Sequence, residues 1–250
     1  MAKHDFKFLV VSSQNAVSKE AVEILCRQIK KKPNLVLGLA TGTTMKPFYK
    51  ELIKHCKRCK LDFSKVKTFN LDEYSGLSEG DKHSLRHFME NNFFKHVNIS
   101  KKNIYFLHGD RRNYRKECSD YEKRIKSFGG IDIQVLGIGV NGHIGFNEPG
   151  SSFKSRTRRV KLSSKTRKSN SEDFPSLSSV PKYALTVGIG TIMDSRKILL
   201  LAVGDKKSWA VKKALSKKIS TKVPASILRR HKDVEFIIDS KVASDIKLLM

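Results

Sequence analysis

Short apolar runs alternate with amphipathic segments along almost the whole chain. The runs have the length of buried strands, while the segments between them repeat apolar residues at the helical spacing of three or four. The runs predicted as strands are Phe6–Val11, Leu35–Leu39, Val66–Leu71, Ile104–Leu107, Ile133–Gly137, Lys197–Val203 and Val234–Ile238. The segments predicted as helices lie near residues 16–29, 45–56, 84–95, 114–128 and 206–216. This alternation predicts an α/β fold, a Rossmann-like and mostly parallel sheet with helices on both faces.

Residues 1–250 are expected to form a single domain, because neither an internal repeat nor a low-complexity linker divides the chain. The longest stretch with weak periodicity runs from about residue 151 to 180 and is rich in serine, arginine and lysine. We expect this stretch to be a mobile lid on the domain.

Composition and charge narrow the range of partners. No apolar run approaches the roughly 18 residues of a membrane span, and the first residues lack the organisation of a signal peptide, so we expect a cytoplasmic protein without a membrane partner. The 50 Lys and Arg against 24 Asp and Glu give a formal charge of +26, which attracts polyanions non-specifically. The basic clusters are spread over loops and polar helix faces, so a specific nucleic-acid site is not expected.

The cysteines invite a zinc interpretation, because His55 precedes a Cys56-x-x-Cys59 pair. Structural zinc needs four ligands, and the other two cysteines, Cys26 and Cys118, are isolated and distant in sequence. We therefore expect no metal site and interpret the cysteines as ordinary thiols.

The loop Gly137–Pro149 carries the densest set of chemically active residues. It follows the apolar strand Ile133–Gly137, and in open α/β sheets the carboxyl ends of strands are where ligands bind. His143 can move protons near neutral pH, and Glu148 and Asn141 can orient it. The composition of this loop is typical of an active site.

Two further loops follow predicted strands. Gly38–Thr44 leads into a helix, and its free N–H groups and hydroxyls can hold a phosphate, although an ordinary strand–helix turn explains it nearly as well. Asp72 and Glu73 end the Val66–Leu71 strand, and a partly desolvated carboxylate there suits a general base, the alternative being a pair of surface carboxylates. Together the three loops suggest proton transfers on a small phosphorylated sugar.

Four stretches of the chain resemble the glucosamine-6-phosphate deaminase (isomerase) family, within a likeness that runs from about Leu35 to Asp239. They are LGLATGTT (37–44), FNLDEYSGL (69–77), GIGVNGHIGFNEPGSSFKSRTR (137–158) and VPKYALTVGIGTIMD (180–194). The resemblance implies aldose–ketose isomerisation of glucosamine 6-phosphate with loss of ammonia, giving fructose 6-phosphate. It implies a hydrolase of the amino-sugar C–N bond that needs neither metal nor organic cofactor.

The same resemblance implies a role for each matching residue. Asp72 matches the general base, His143 the group that assists ring opening, Glu148 its supporting acid, and Asn141 the other member of that relay. The residues that match the phosphate site are Thr41, Gly42, Thr43, Thr44 and Lys207.

Three positions depart from the family pattern. Asn141 stands where many members carry Asp, and an amide can orient the imidazole but cannot share its proton. Glu172 stands where members often have an arginine that contacts the substrate phosphate, so we expect Glu172 to repel the phosphate and Lys165, Arg167 or Lys168 to substitute. Val160 stands where allosterically regulated members carry a second lysine, which argues against such regulation.

Two other functions are compatible with these residues. A related sugar-phosphate lactonase or isomerase would share the fold, and a weakly active sugar-phosphate sensor would fit the changes at Glu172 and Asn141. Retention of Asp72, His143 and Glu148 together favours the deaminase, since a sensor has no need of the base. Assembly into a homo-oligomer is left open.

Overall fold

The computed structural model describes residues 6–244 and 246, which contain two β-sheets and eight α-helices. The strands are β1 Lys7–Val11, β2 Val36–Leu39, β3 Lys67–Asn70, β4 Asp72–Tyr74, β5 Ile104–Tyr105, β6 Ile133–Gly137, β7 Arg158–Lys161, β8 Tyr183–Thr186, β9 Lys197–Ala202 and β10 Val234–Asp239. The helices are α1 Gln14–Lys31, α2 Met45–Cys59, α3 Leu85–Asn92, α4 Tyr114–Ser127, α5 Ser164–Asn170, α6 Ile189–Met193, α7 Ser208–Leu215 and α8 Ser240–Ala243. Short 3-10 helices follow α3, α5 and β9, among other places, and one of them is Asp205–Lys207.

The central sheet has seven strands in the order β1-β10-β9-β6-β2-β3-β5, and all its pairings are parallel. All seven strands predicted from apolar runs are present in it, which confirms the mostly parallel α/β fold. Its interior strands are largely buried on both faces, as parallel strands covered by helices must be.

The strand order reverses between β2 and β6. From β2 the chain continues outward through β3 to β5, whereas β6 is followed on its other side by β9 and β10. A reversal of this kind opens a crevice at the carboxyl ends of the two strands, because their crossover helices lie on opposite faces of the sheet. The loops after β2 and β6 leave the sheet at this crevice.

A second, antiparallel sheet of three short strands, in the order β4-β8-β7, lies beside the crevice. The chain passes from β3 to β4 through a single residue, Leu71, and Asp72 in β4 pairs with Thr186 in β8. No strand is predicted at these residues, because three- and four-residue strands with polar side chains carry almost no periodic signal.

The segment from about 151 to 180 contains β7 and α5 and is therefore not a structureless loop. Ser163 caps α5, its Oγ accepting a hydrogen bond from the Thr166 amide at 3.1 Å. Leu162, just before the cap, packs with Tyr74 and Phe146 in a small apolar cluster that is separate from the main core. This packing holds α5 next to the crevice.

Candidate active site

The crevice forms a cleft of about 200 Å³. Its walls come from the loop after β2, from β4, from the loop after β6, from the α5 segment and from Lys207. The structure thus brings together residues that lie far apart in sequence. All three loops singled out in the sequence line this one cleft.

The loop after β2 leads directly into α2, whose first residue is Met45. Gly42 has φ of +101°, a conformation that side chains other than glycine rarely adopt. Thr44 makes no side-chain cap, and within the described part of the chain the backbone N–H groups of Gly42, Thr43 and Thr44 have no acceptor. A helix start with unbonded N–H groups has the geometry that can bind a phosphate.

Asp72 is the buried carboxylate of the cleft and has only 6% of its surface exposed. A Cβ on Gly145 would lie 3.5 Å from Asp72 Oδ2, so the carboxylate sits next to the loop after β6. Burial, with a smaller effect from the Glu73 carboxylate, raises the pKa of Asp72 to about 7. A carboxyl group with such a pKa can accept a proton at neutral pH and release it again.

Glu73 points away from the cleft and anchors the strand. Its carboxylate accepts hydrogen bonds from the backbone amides of Tyr74, Leu85 and Arg86 at 2.8 to 2.9 Å. Burial raises the pKa of Glu73 to about 7, against the three amide bonds, which stabilise the ionised form. The two adjacent carboxylates therefore have different surroundings, since Asp72 faces the cleft and Glu73 ties β4 to the start of α3.

His143, Asn141 and Glu148 form a continuous relay. The Asn141 Nδ2 group donates to Glu148 Oε2 at 3.0 Å, and Asn141 Oδ1 lies 2.7 Å from His143 Nδ1. Because an ionised carboxylate only accepts, the amide nitrogen faces Glu148 and the amide oxygen faces the imidazole. The proton of neutral His143 is therefore on Nδ1, and its Nε2 has a free lone pair.

Glu148 is held at its other oxygen as well. Its Oε1 accepts a hydrogen bond from Ser163 Oγ at 2.9 Å and a second from Thr166 Oγ1. Burial opposes ionisation, but the Thr166 hydrogen bond, the nearby His143 and the bonds from Asn141 and Ser163 together hold the pKa of Glu148 below its usual value. Glu148 is thus ionised at neutral pH.

Burial favours the neutral forms of two basic side chains in this region, His143 and Lys207. Burial lowers the pKa of His143, and the positive charge of Lys207 lowers it further, although Glu148 acts in the opposite direction. Burial also lowers the pKa of Lys207, which lines the cleft. His143 is therefore available as a neutral base.

The loop that carries the relay is locked by Asn147, which is completely buried. Its Nδ2 donates to the carbonyl oxygens of Ile144 and Val187, both at 2.9 Å, and its Oδ1 accepts from Arg158 at 2.8 Å. These bonds tie the loop after β6 to the small sheet. The sequence shows only that Asn147 lies in the same loop as His143 and Glu148, whereas its burial and its partners are visible only in the structure.

The α5 segment contributes Lys165, one of the three cations expected from the sequence to substitute at the phosphate, together with side chains that were not expected in the site. Those that line the cleft are Lys165, Thr166, Ser169, Asn170 and Asp173. Arg167 is turned away, because its guanidinium donates to the carbonyl oxygens of Leu177 and Val180. The exposed residues Lys168 and Glu172 do not belong to the lining.

Other features of the described residues have no link to the cleft. Cys26, Cys56 and Cys118 are buried and Cys59 is exposed, and burial raises the pKa of both Cys26 and Cys56 to about 12. Within residues 6–244 and 246, no group of three or more His, Cys, Asp or Glu side chains is arranged to hold a metal ion. In the same part of the chain, no helix combines the length and apolar character needed to cross a membrane.

Comparison with known proteins connects this cleft to a family. A family model described as glucosamine-6-phosphate isomerases/6-phosphogluconolactonase matches residues 12–237. Glucosamine-6-phosphate deaminase of Clostridium botulinum is 51% identical over 97% of this chain and 99% of its own length. Glucosamine-6-phosphate deaminase of Thermoanaerobacter pseudethanolicus is 48% identical over 95% of this chain and 94% of its own length.

Solved structures agree with these sequence matches. A monomeric glucosamine-6-phosphate deaminase superposes with a TM-score of 0.94 at 45% identity and covers 96% of this chain and 100% of its own. The 6-phosphogluconolactonase of Leishmania guyanensis has a TM-score of 0.75 at 20% identity, covering 97% of this chain and 99% of its own. The lactonase shows a shared fold, whereas the deaminase is similar in both fold and sequence.

Proposed function

Because this chain belongs to the family of glucosamine-6-phosphate isomerases and 6-phosphogluconolactonases, we propose that it is a glucosamine-6-phosphate deaminase. Glucosamine 6-phosphate and water are converted to fructose 6-phosphate and ammonia. One observation carries the choice between the family's activities: the relatives at 48 to 51% identity over nearly the whole chain are named deaminases. The lactonases among the solved structures are only 16 to 20% identical and share the fold.

His143 opens the sugar ring in this proposal. Its Nε2 takes the proton from the hydroxyl on carbon 1, the bond between carbon 1 and the ring oxygen breaks, and the ring oxygen receives the proton. In between, the imidazole is positively charged, and the ionised Glu148, 3.8 Å from Nδ1, stabilises that charge. Asn141 keeps the Nδ1 proton in place throughout, since its oxygen can only accept.

Asp72 performs the isomerisation. Its carboxylate removes the proton from carbon 2 of the open sugar and returns it to carbon 1. The amino group loses a proton and the carbon 1 oxygen gains one, so that the amino aldehyde becomes an imine at carbon 2 next to a hydroxyl on carbon 1. Water adds to this imine, and the C–N bond then breaks to release ammonia and leave the ketone. The raised pKa of Asp72, about 7, suits a group that both takes and gives the proton.

The phosphate of the substrate is proposed to bind at the start of α2. The unbonded N–H groups of residues 42–44, the hydroxyls of Thr41, Thr43 and Thr44, and the ammonium group of Lys207 are the donors available there. Lys165 supplies a second cation to the cleft. This arrangement leaves the carbon 1 to carbon 2 end of an extended sugar to Asp72 and His143.

The segment from about 151 to 180 is proposed to close over the bound sugar as a lid of a single-domain enzyme. The support is that α5 and the turn after it present cleft-lining side chains from one side only. We also propose that the chain acts as a monomer, because its structural relative with a TM-score of 0.94 is described as monomeric. Light scattering coupled to gel filtration measures the mass, and a mass of two or more chains would contradict this.

The test of the function follows ammonia and fructose 6-phosphate in parallel after addition of glucosamine 6-phosphate. We expect both products in equal amounts from the wild type and neither from Asp72→Asn. Hydrolysis of 6-phosphogluconolactone without ammonia would instead assign the chain to the lactonases. Tight sugar-phosphate binding without turnover would make it a sensor, and either result overturns the proposal.

A further inference from the structure

The two oxygens of the Glu148 carboxylate have different partners. Oε2 faces the relay, where it accepts from Asn141 at 3.0 Å and lies 3.8 Å from His143 Nδ1. Oε1 faces α5, where Ser163 Oγ donates at 2.9 Å and Thr166 Oγ1 donates as well. Thr166 is 4% exposed and sits in the first turn of that helix.

We infer that Thr166 and Ser163 are positioning residues of the ring-opening relay and that they act through Glu148. This inference rests on the proposed deaminase reaction, in which the Glu148 charge stabilises protonated His143. Neither hydroxyl exchanges a proton with the substrate. Their role is to keep Glu148 ionised and to fix which of its oxygens faces Asn141.

The fixed direction of Glu148 determines the tautomer of His143. The carboxylate requires a donor from Asn141, and that requirement turns the Asn141 oxygen toward Nδ1. If Glu148 rotated or took up a proton, the Asn141 amide could reverse and offer its NH₂ group to the imidazole. The Nε2 lone pair that removes the sugar's hydroxyl proton would then no longer be assured.

The charges around Glu148 support the same role. His143 is the ionisable group that faces Glu148. Lys207, in the short 3-10 helix before α7, acts on His143 through its positive charge. Neither supplies a hydrogen bond to Oε1, which therefore depends on the two hydroxyls. The bond from Thr166 is the first of the influences that lower the pKa of Glu148.

A substitution at Thr166 tests the hydrogen bond to Glu148 more specifically than one at Ser163. Ser163 also caps α5 by accepting from the Thr166 amide, so its replacement would loosen the helix. Thr166→Val removes only the hydroxyl and keeps the amide that the cap uses. Thr166→Ser retains a hydroxyl donor, and Ser164→Ala removes an exposed hydroxyl from the neighbouring position of α5.

The experiment combines steady-state kinetics with NMR of the free enzyme. We expect Thr166→Val to lower kcat about tenfold, the factor for one lost hydrogen bond to a charged group, while KM changes by less than about twofold. In the free enzyme, a ¹³C titration of the Glu148 carboxyl, assigned with Glu148→Gln, should show a higher pKa in Thr166→Val. The ¹⁵N shifts of His143 should move from the Nδ1–H tautomer toward a mixture.

The controls separate this role from a purely structural one. Thr166→Ser should restore the Glu148 titration and kcat, and Ser164→Ala should change neither. An unchanged Glu148 titration and His143 tautomer in Thr166→Val overturns the inference even if activity falls. If Thr166→Val does not fold, Thr166→Ala lacks the same hydroxyl and is read in the same way. If the wild type released no ammonia, the proposed function would be wrong. The positions assigned to Thr166 and Glu148 would still be tested, because the NMR measurements need no turnover.

Discussion

The imidazole of His143 lies directly against the backbone of Gly139. A methyl group on Gly139 would be 2.2 Å from the Cε1 atom of His143 and 2.4 Å from its Nε2. The Gly139 amide also donates to the His143 carbonyl oxygen at 2.9 Å, so the two residues are fixed relative to each other. Gly139 therefore provides the space in which the ring sits.

Replacing Gly139 by alanine should displace the His143 ring from the cleft. A shift of about 1 Å at a reacting group costs on the order of a hundredfold in kcat, and we expect a loss of that size. Gly80→Ala is the matched control, because nothing lies within 4 Å of a Cβ at that position. Wild-type kcat in Gly139→Ala would show that the ring does not act from its present position.

Replacing Asp72 by asparagine should stabilise the protein at neutral and higher pH while removing activity. The folded-state pKa of about 7 is above the unfolded value of 3.8, so wild-type stability is present below 3.8 and lost as pH rises toward 7. The advantage of Asp72→Asn should grow over that range to on the order of 4 kcal/mol. Urea unfolding at several pH values measures it.

Asp120→Asn provides the contrast for that measurement. Hydrogen bonding to Lys116 lowers the pKa of Asp120, so its replacement should act in the opposite direction. An Asp72→Asn advantage that does not change with pH would mean that the buried carboxylate is not the cause.

Lys165→Met should weaken binding of the substrate through its phosphate. Lys165 lines the cleft, and loss of one cation from an anion site raises KM by about tenfold. Lys168→Met is the control on the same helix, because Lys168 is exposed and outside the cleft lining. If Lys165→Met and Lys168→Met raised the KM equally, the cause would be long-range attraction of the substrate by the net charge of the protein and not a contact of Lys165.

Glu172→Arg should leave the KM for the substrate close to the wild-type value, since Glu172 also lies outside the cleft lining.

Asn141→Asp should raise the pKa of His143. The new carboxylate would lie at the 2.7 Å contact now made by Asn141 Oδ1, next to the charge of Glu148. Two carboxylates favour the protonated imidazole, so less neutral base is present at neutral pH. NMR titration of His143 measures the change, and Asn113→Asp, an exposed helix cap on α4, should leave it unaffected.

The centre of the sheet could be predicted because β2, β6, β9 and β10 are buried on both faces and lie in mostly apolar runs. β7, with the sequence Arg158-Arg159-Val160-Lys161, could not, because its partner β8 lies 20 or more positions away and supplies the pairing. The same distinction holds in the cleft. His143 and Asp72 could be placed at the cleft because each follows the carboxyl end of a strand that is predictable from the sequence.

Which basic residue of α5 faces the cleft is decided by contacts that the sequence does not show. Arg167 is held by the carbonyl oxygens of Leu177 and Val180, and Lys165 is left to line the cleft. The expected repulsion by Glu172 depended on alignment with a family pattern, and the exposed position of that side chain follows from the turn after α5. Side-chain direction in a short helix after a loop is set by its cap, here Ser163.

The pairing of β1 with β10 has a consequence for synthesis of the protein. Lys7 lies beside Glu235, so β1, the first of the described strands, is joined to β10, the last of them. The strands that carry the cleft, from β2 to β9, can all pair with one another before β10 has been translated. A nascent chain that ends shortly before Val234 would thus hold the loops that line the cleft but leave β1 without its partner β10. Of the described strands, β1 is therefore translated first and pairs with its neighbour last.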